Sequence, residues 1–142
     1  MKVLLVGHGG REHALAWRLS QSLQLTSLVV TGNNPGWPVN VTLRPASDVA
    51  GWVQVAHDEA VDLVVVGPEA PLSLGLADAL KEKGIPCFGP EQAAARLETS
   101  KSFAKEVMIA AGVDTAGYLT VDATSESDMV AARDRCARGN VV

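Results

Sequence analysis

Four short runs of apolar residues alternate along the chain with segments of helical period. The runs at 2–6, 26–30, 62–66 and 85–88 are each followed by glycine within two residues, which is typical of buried strands in a parallel sheet. Apolar residues spaced three and four apart predict helices around 14–19, 49–56 and 72–83, and further helices are predicted at 91–97, 100–111 and 125–138. This alternation predicts an α/β fold, in which helices cover both faces of a parallel sheet.

Polar residues indicate where several helices begin. Ser47 and Ser100 are expected N-caps, because a serine hydroxyl accepts a hydrogen bond from an unpaired first-turn N–H. Ser125 with Asp128 resembles a capping box for the last helix, after which residues 139–142 look like the start of a strand. The stretch 32–46, rich in glycine, proline and asparagine, predicts a loop. Trp37 in that loop is either a lid or, as we prefer, a plug over the core.

The turn after the first strand carries the first candidate site. A strand, the glycines Gly9 and Gly10 and a helix follow one another directly, so unpaired N–H groups meet the carboxyl edge of the sheet and suit a phosphate. The helix dipole disfavours a cation in the first turn, so Arg11 makes sense there if an anion binds beside it. The alternative is that these glycines only allow the chain to reverse.

Nicotinamide dinucleotide binding is a rival for this turn, and the sequence disfavours it. The dinucleotide pattern needs a third small residue where this chain has Glu12. It also needs an acid at the end of the second strand, where the chain instead continues through residues 31–34 without a carboxylate. A mononucleotide or a sugar phosphate fits this turn better.

Two further residues are candidates at the same edge of the sheet. Glu69 lies between Pro68 and Pro71 in what we predict to be a rigid loop after the third predicted strand, where α/β proteins bind ligands. The alternative is a solvated glutamate in a proline turn. Lys101 is a second cation in a first helical turn, and it is equally well explained as an ordinary surface lysine.

Composition narrows the class of protein. The 142 residues are 47% hydrophobic with a formal net charge of −4 and six aromatic residues, so we expect a folded domain that does not bind nucleic acid. Cys87 and Cys136 lack metal-binding spacing, and we interpret them as reduced thiols of a cytoplasmic protein. We find no apolar run of membrane-spanning length and expect no membrane association.

Three blocks in this order resemble the phosphoribosylamine–glycine ligases (glycinamide ribonucleotide synthetases) of the ATP-grasp superfamily. They read VGHGGREHALAW, VVVGPEAPLSLGLADAL and CFGPEQAAARLETSKSFAKEVM. The resemblance implies a Rossmann-like pre-ATP-grasp domain at 1–98 and the beginning of an ATP-grasp domain at 99–142. It implies an ATP-dependent carbon–nitrogen ligase of purine biosynthesis, which joins 5-phosphoribosylamine to glycine through a glycyl phosphate and releases ADP and phosphate.

The resemblance also implies roles for individual residues. Gly9, Gly10 and Arg11 would hold the substrate's phosphate, Glu69 suits ribose hydroxyls or the amine, and Lys101 matches the first of two lysines that bind ATP phosphates. The remaining matching positions are Asn34, Gly36, Gly67, Pro68 and Pro71. Gly32, Asn33 and Thr99 depart from the family, which has proline, glycine and glycine there. No catalytic residue and no metal ligand is assigned within this segment.

In the family, the second ATP lysine, the glycine-rich flap and the acids that hold magnesium come after the position of Val142. We therefore expect ATP and Mg²⁺ to bind mostly outside this segment, and the segment alone to be inactive. The expected partners are phosphoribosylamine, glycine, ATP and the remainder of the ligase. Two rival hypotheses are a stand-alone domain that binds a phosphorylated ribose without catalysis, and a shortened relative that only assembles with a partner.

Overall fold

A computed structural model describes residues 1–38 and 40–137, and these residues divide into two compact units with the boundary between Thr99 and Ser100. The first unit holds a five-stranded parallel sheet in the order β3-β2-β1-β4-β5, which confirms the predicted α/β class. The strands are β1 (Lys2–Val6), β2 (Ser27–Val30), β3 (Val41–Leu43), β4 (Leu63–Val66) and β5 (Cys87–Phe88). The helices are α1 (Gly10–Leu19), α2 (Val49–Asp58), α3 (Glu69–Ser73), α4 (Leu76–Glu82) and α5 (Gln92–Thr99).

The order of the strands reverses between β1 and β4, and this is where the candidate residues lie. Val6 is in register with Val66, so both strands end at the same height, and the Gly67 N–H donates to the Val6 carbonyl at 3.1 Å. In open α/β sheets, ligands bind outside the carboxyl ends of the strands at such a reversal. The register therefore brings the turns after β1 and β4 together.

Alternate residues of the strands enter two apolar layers, as the period of two requires. Leu4, Val6, Val29 and Val64 face one layer, where they pack with buried residues of α2 and α4 such as Leu80. The other layer packs Ala16 of α1 against a second set of strand residues, namely Val3, Leu5, Leu28, Val30 and Val65. Burial on both faces explains why the strands read as continuous apolar runs.

Four predictions about local structure in the first unit are wrong. The predicted loop 32–46 contains β3, a three-residue edge strand whose residues are only partly buried or exposed, so it lacks the apolar signature of the others. The cap of α2 is Asp48 rather than Ser47, with its carboxylate accepting the Gly51 N–H at 2.7 Å.

The predicted helix 72–83 is also divided. Gly75 has a left-handed φ of +86° and separates α3 from α4, a conformation that favours glycine. In addition, Glu69 and Pro71 belong to α3 rather than to the predicted rigid loop. Proline is well tolerated in a first helical turn, because its missing N–H would have no partner there.

The second unit contains α6 (Lys101–Ala110) and α7 (Glu126–Ala137). Ser100 caps α6 as predicted, accepting the Phe103 N–H at 3.3 Å, but no residue of α6 is buried. Ser125 likewise accepts the Asp128 N–H at 3.3 Å, whereas the Asp128 carboxylate accepts the N–H of Asp122 instead of completing a capping box. The extended piece predicted at 118–121 forms no strand. The predicted helix end at Arg138 and the strand at 139–142 lie outside the described residues.

Replacing Leu80 with alanine tests the importance of the larger apolar layer. Leu80 is fully buried, so Leu80→Ala should lower the free energy of unfolding by about 2–5 kcal/mol. Leu23→Ala is the matched control, because the Leu23 side chain is fully exposed and should change the value by less than about 0.5 kcal/mol. Urea unfolding followed by tryptophan fluorescence reports on the first unit, since all three tryptophans lie in it. Equal shifts in the two variants would contradict the assignment.

Candidate functional site

Three turns meet at the carboxyl edge of the sheet: those after β1 and β4, and the loop between β2 and β3. Arg11 at the start of α1 donates from Nη1 to the Gly67 carbonyl at 2.5 Å, joining the first two turns. Asn34 of the β2–β3 loop donates from Nδ2 to the His8 carbonyl at 2.8 Å, joining the third. The sequence predicted that the turns after the apolar runs 2–6, 62–66 and 85–88 converge at this edge, and the structure joins the first two of them.

The glycine turn after β1 uses part of its hydrogen-bonding capacity internally. Gly7 has a left-handed φ of +113°, and Gly9 is the extended N-cap of α1. The Gly9 N–H donates to Glu12 Oε2 at 2.5 Å, so the protein itself occupies one donor that we expected to serve an anion. The N–H groups of Gly10 and Arg11 are the first two of the helix and precede any intrahelical acceptor.

Glu12 is a residue whose structural role the sequence analysis missed. Its side chain is only 5% exposed and lies between the turns that follow β1 and β4. A methyl group added at Gly67 would stand 2.6 Å from Glu12 Cδ, and one added at Gly7 would stand 2.8 Å from Glu12 Cγ. The available signal was its place three residues after an N-cap, where an acid commonly accepts the N-cap N–H.

The β2–β3 loop is held by its own side chains. Asn34 Oδ1 accepts the Gly36 N–H at 2.8 Å, and Trp37 Nε1 donates to the Gly32 carbonyl at 2.9 Å while its ring packs on the core. Trp37 is therefore a plug, as preferred from the sequence. A side chain at Gly32 would overlap His8 Cβ, because the glycine turn after β1 passes close by. This close approach is consistent with glycine at a position where the family that the sequence resembles has proline.

Arg11 and Glu69 both line an open cleft of about 450 Å³. Arg11 Nη1 lies 3.8 Å from Glu69 Oε2, and the two side chains are 60% and 47% exposed. An exposed pair at this distance contributes little to stability, so both groups can serve a ligand. Ser73, Glu98 and Thr99 also line the cleft, and none of these three was predicted from the sequence.

Pro68 and Pro71 line a second cleft of about 580 Å³ that is mostly apolar. It lies over the ends of β1 and β2 and also includes His8, Trp52 and Leu74. The predicted residues thus divide between a charged cleft, with Arg11 and Glu69, and an apolar one, with the two prolines. Ala70 lines both clefts, which shows that α3 separates them.

Lys101 belongs to the second unit and is the first residue of α6. It is exposed at the mouth of a groove of about 700 Å³, whose other lining residues include Lys105, Met108 and Tyr118. Lys105 Nζ donates to the Ala116 carbonyl at 2.9 Å and lies 5.8 Å from the centre of the Tyr118 ring. The groove offers two ammonium groups beside apolar walls.

The described residues offer few groups for metal binding or for thiol chemistry. Within residues 1–38 and 40–137, no cluster of three or more histidine, cysteine or acidic residues could hold a metal ion, and no helix is long and apolar enough to cross a membrane. Burial raises the pKa of the Cys87 thiol to about 11. Cys87 is therefore a poor nucleophile at neutral pH, because the thiolate is the reactive form.

Comparison with known proteins gives matches over most of the chain. Residues 1–98 match the family model described as phosphoribosylglycinamide synthetase, N domain. A phosphoribosylamine–glycine ligase from Allochromatium vinosum is 51% identical over 123 residues, which cover 83% of this chain and 28% of that protein. The chain therefore spans little more than a quarter of the curated relative's length.

Solved structures share the fold at lower identity. Glycinamide-RNase-transformylase T from Mycobacterium tuberculosis superposes with a TM-score of 0.71 at 18% identity, covering 92% of this chain and 38% of that one. The biotin carboxylase domain of Hydrogenobacter thermophilus 2-oxoglutarate carboxylase, described in complex with MgADP, ADP and bicarbonate, has a TM-score of 0.66 at 20% identity. That match covers 96% of this chain and 32% of the other. At these identities the two structures show that this chain shares their fold.

The two cysteines should differ in reactivity. At pH 8 only about one Cys87 thiol in a thousand is ionised if its pKa is about 11, whereas the Cys136 side chain is exposed. We expect a maleimide to label Cys136 first in the wild type. Mass spectrometry of the Cys136→Ser and Cys87→Ser variants, which keep one cysteine each, gives the labelling rate of Cys87 and of Cys136 separately. Labelling of Cys87 should accelerate about tenfold per pH unit between pH 8 and 10. Equal labelling rates at pH 8 would contradict this assignment.

Proposed function

The chain belongs to the phosphoribosylglycinamide synthetase family, and on that premise we propose that it provides the phosphoribosyl-binding side of a ligase. The proposed reaction joins 5-phosphoribosylamine to glycine with hydrolysis of ATP to ADP and phosphate, in purine biosynthesis in the cytoplasm. The observation that carries the proposal is the match of residues 1–98 to the N-domain model. The charged cleft lined by Arg11 and Glu69 supports it, because it offers a cation and an acid to one ligand.

We assign the phosphate of the substrate to the start of α1. The N–H groups of Gly10 and Arg11 supply hydrogen-bond donors, and the Arg11 guanidinium supplies charge-assisted bonds to phosphate oxygens. Gly9 contributes its conformation rather than its N–H, which Glu12 already occupies. Asn34 and Gly36 support this turn from the β2–β3 loop, through the bond from Asn34 to the His8 carbonyl.

We assign the ribose hydroxyls or the amine of the substrate to Glu69, whose ionised carboxylate only accepts hydrogen bonds. Gly67 lets the β4 turn pass close to Glu12, and Pro68 and Pro71 fix the start of α3, from which Glu69 projects. The 3.8 Å gap between Arg11 and Glu69 leaves both groups able to turn towards a ligand. Substrate binding would thus use residues at the ends of β1 and β4 together.

ATP is assigned to the second unit, where Lys101 would bind a phosphate and the groove beside it would accept the nucleotide. ATP supplies the phosphoryl group that activates the glycine carboxylate. Magnesium does not fit the described residues, since they contain no cluster able to hold it, and we assign no step of the reaction to a metal here. A structural neighbour bound to MgADP supports nucleotide and magnesium dependence for the complete ligase.

Ribose 5-phosphate titration tests the phosphate assignment on the 142-residue chain. We expect amide NMR shifts centred on residues 7–12, and about tenfold weaker binding by Arg11→Gln, because a charge-assisted bond is lost. Arg18→Gln is the matched control, since Arg18 is exposed in the last turn of the same helix. The assignment fails if the shifts miss residues 7–12, or if the control weakens binding as much.

The 142-residue chain alone should not release ADP. Phosphoryl transfer depends on metal-assisted neutralisation of phosphate charge, and the described residues contain no cluster of three or more histidine, cysteine or acidic side chains that could hold a metal ion. The test is a coupled ADP assay with MgATP, glycine and freshly prepared phosphoribosylamine, with the complete Allochromatium vinosum relative as positive control. Turnover above the enzyme-free blank, from protein whose mass is confirmed, would contradict the prediction.

A further inference from the structure

Glu12 is a buried acid without a basic partner. It is 5% exposed, and none of the ion pairs among the described residues includes it. Its Oε2 accepts the Gly9 N–H at 2.5 Å, and its place in the first turn of α1 puts the carboxylate at the positive end of the helix dipole. Burying a carboxylate costs free energy unless it is well hydrogen-bonded, so a buried Glu12 calls for a specific role.

The surroundings of the side chain indicate that role. Glu12 packs directly against Gly67 at the end of β4 and against Gly7 at the end of β1, with no room for a methyl group at either position. Its neighbour Arg11 donates to the carbonyl of the same Gly67. Gly67, which strand pairing holds beside Val6, is thus contacted by Glu12 on one side and bonded by the Arg11 guanidinium through its carbonyl.

We propose that Glu12 is a positioning and specificity-determining residue of the anion site. It joins the two turns, and it restricts the site to one phosphate group. With the Gly9 N–H occupied and a negative charge beneath the turn, a single phosphate can reach Gly10 and Arg11 from outside. A second phosphate directed at the Gly9 N–H, as in a diphosphate, would meet the Glu12 carboxylate that already accepts it. The selectivity step rests on the proposed function, whereas the joining of the turns does not.

A double-mutant cycle tests whether Glu12 joins the turns. Gly67→Ala alone should lower the midpoint of thermal unfolding by about 5–15 °C, because the added methyl group overlaps the carboxyl group. The Glu12→Ala variant lacks the carboxyl group that the methyl group would overlap. In that background, Gly67→Ala should therefore lower the unfolding midpoint by less than about a third as much as in the wild type. Tryptophan fluorescence reports the unfolding of the first unit. Equal effects of Gly67→Ala in the two backgrounds would overturn the proposal.

Glu12→Gln tests the selectivity, since its side-chain carbonyl can still accept the Gly9 N–H while the charge is removed. We expect an unfolding midpoint within about 3 °C of the wild type. The affinity for inorganic pyrophosphate should rise about threefold or more relative to that for ribose 5-phosphate, because the more highly charged anion gains more from the loss of a like charge. Glu82→Gln is the matched control, since it removes the same charge from the exposed end of α4.

The outcomes separate the two proposals. A ratio of affinities that is the same in Glu12→Gln, Glu82→Gln and the wild type would overturn the selectivity role. A wild-type chain that binds no ribose 5-phosphate would overturn the proposed function and the selectivity step together. The double-mutant cycle needs no ligand, so it decides the joining of the turns in either case.

Discussion

The geometry of the candidate site depends on one close contact, between the Glu12 side chain and the two glycines that end β1 and β4. Gly7 and Gly67 follow strand residues that are in register, so the two turns arise at the same height. A side chain at either glycine would overlap the Glu12 side chain, and one at Gly7 would also overlap Pro68. Because the Glu12 carboxylate also accepts the Gly9 N–H, the start of α1 is fixed by the same contact.

The sheet supplies the conditions under which this contact is possible. Parallel pairing of β1 with β4 follows from apolar runs that bury both faces, and the reversal of strand order at this pair sends α1 to one face of the sheet. Helices α2 and α4 cover the other face. Glu12 is buried where the two turns meet, against Gly7 and Gly67, whereas Arg11 and Glu69 line the open cleft beside them.

Sequence patterns predicted the elements that depend on burial and missed those that depend on close packing. Strands β1, β2 and β4 are continuous apolar runs, so periodicity located them within a residue. Strand β3 has only three residues at the edge of the sheet, and too little of it is buried to leave a pattern. The role of Glu12 depends on a contact with Gly67, fifty-five residues along the chain, which no local pattern encodes. Glu12 was therefore noticed only as an obstacle to dinucleotide binding.

The electrostatic interpretation of Arg11 changes once its contacts are known. A cation in the first turn of a helix suggested a bound anion, but the Gly67 carbonyl and the Glu69 carboxylate already offset part of the unfavourable dipole. The case for a phosphate therefore rests on the donors that remain. A guanidinium has five N–H groups, its contact with Gly67 uses one, and 3.8 Å to Glu69 is too long for a hydrogen bond. Arg11 is held by one bond, lines the open cleft and has a side chain that is 60% exposed, so its remaining donors are accessible to a phosphate.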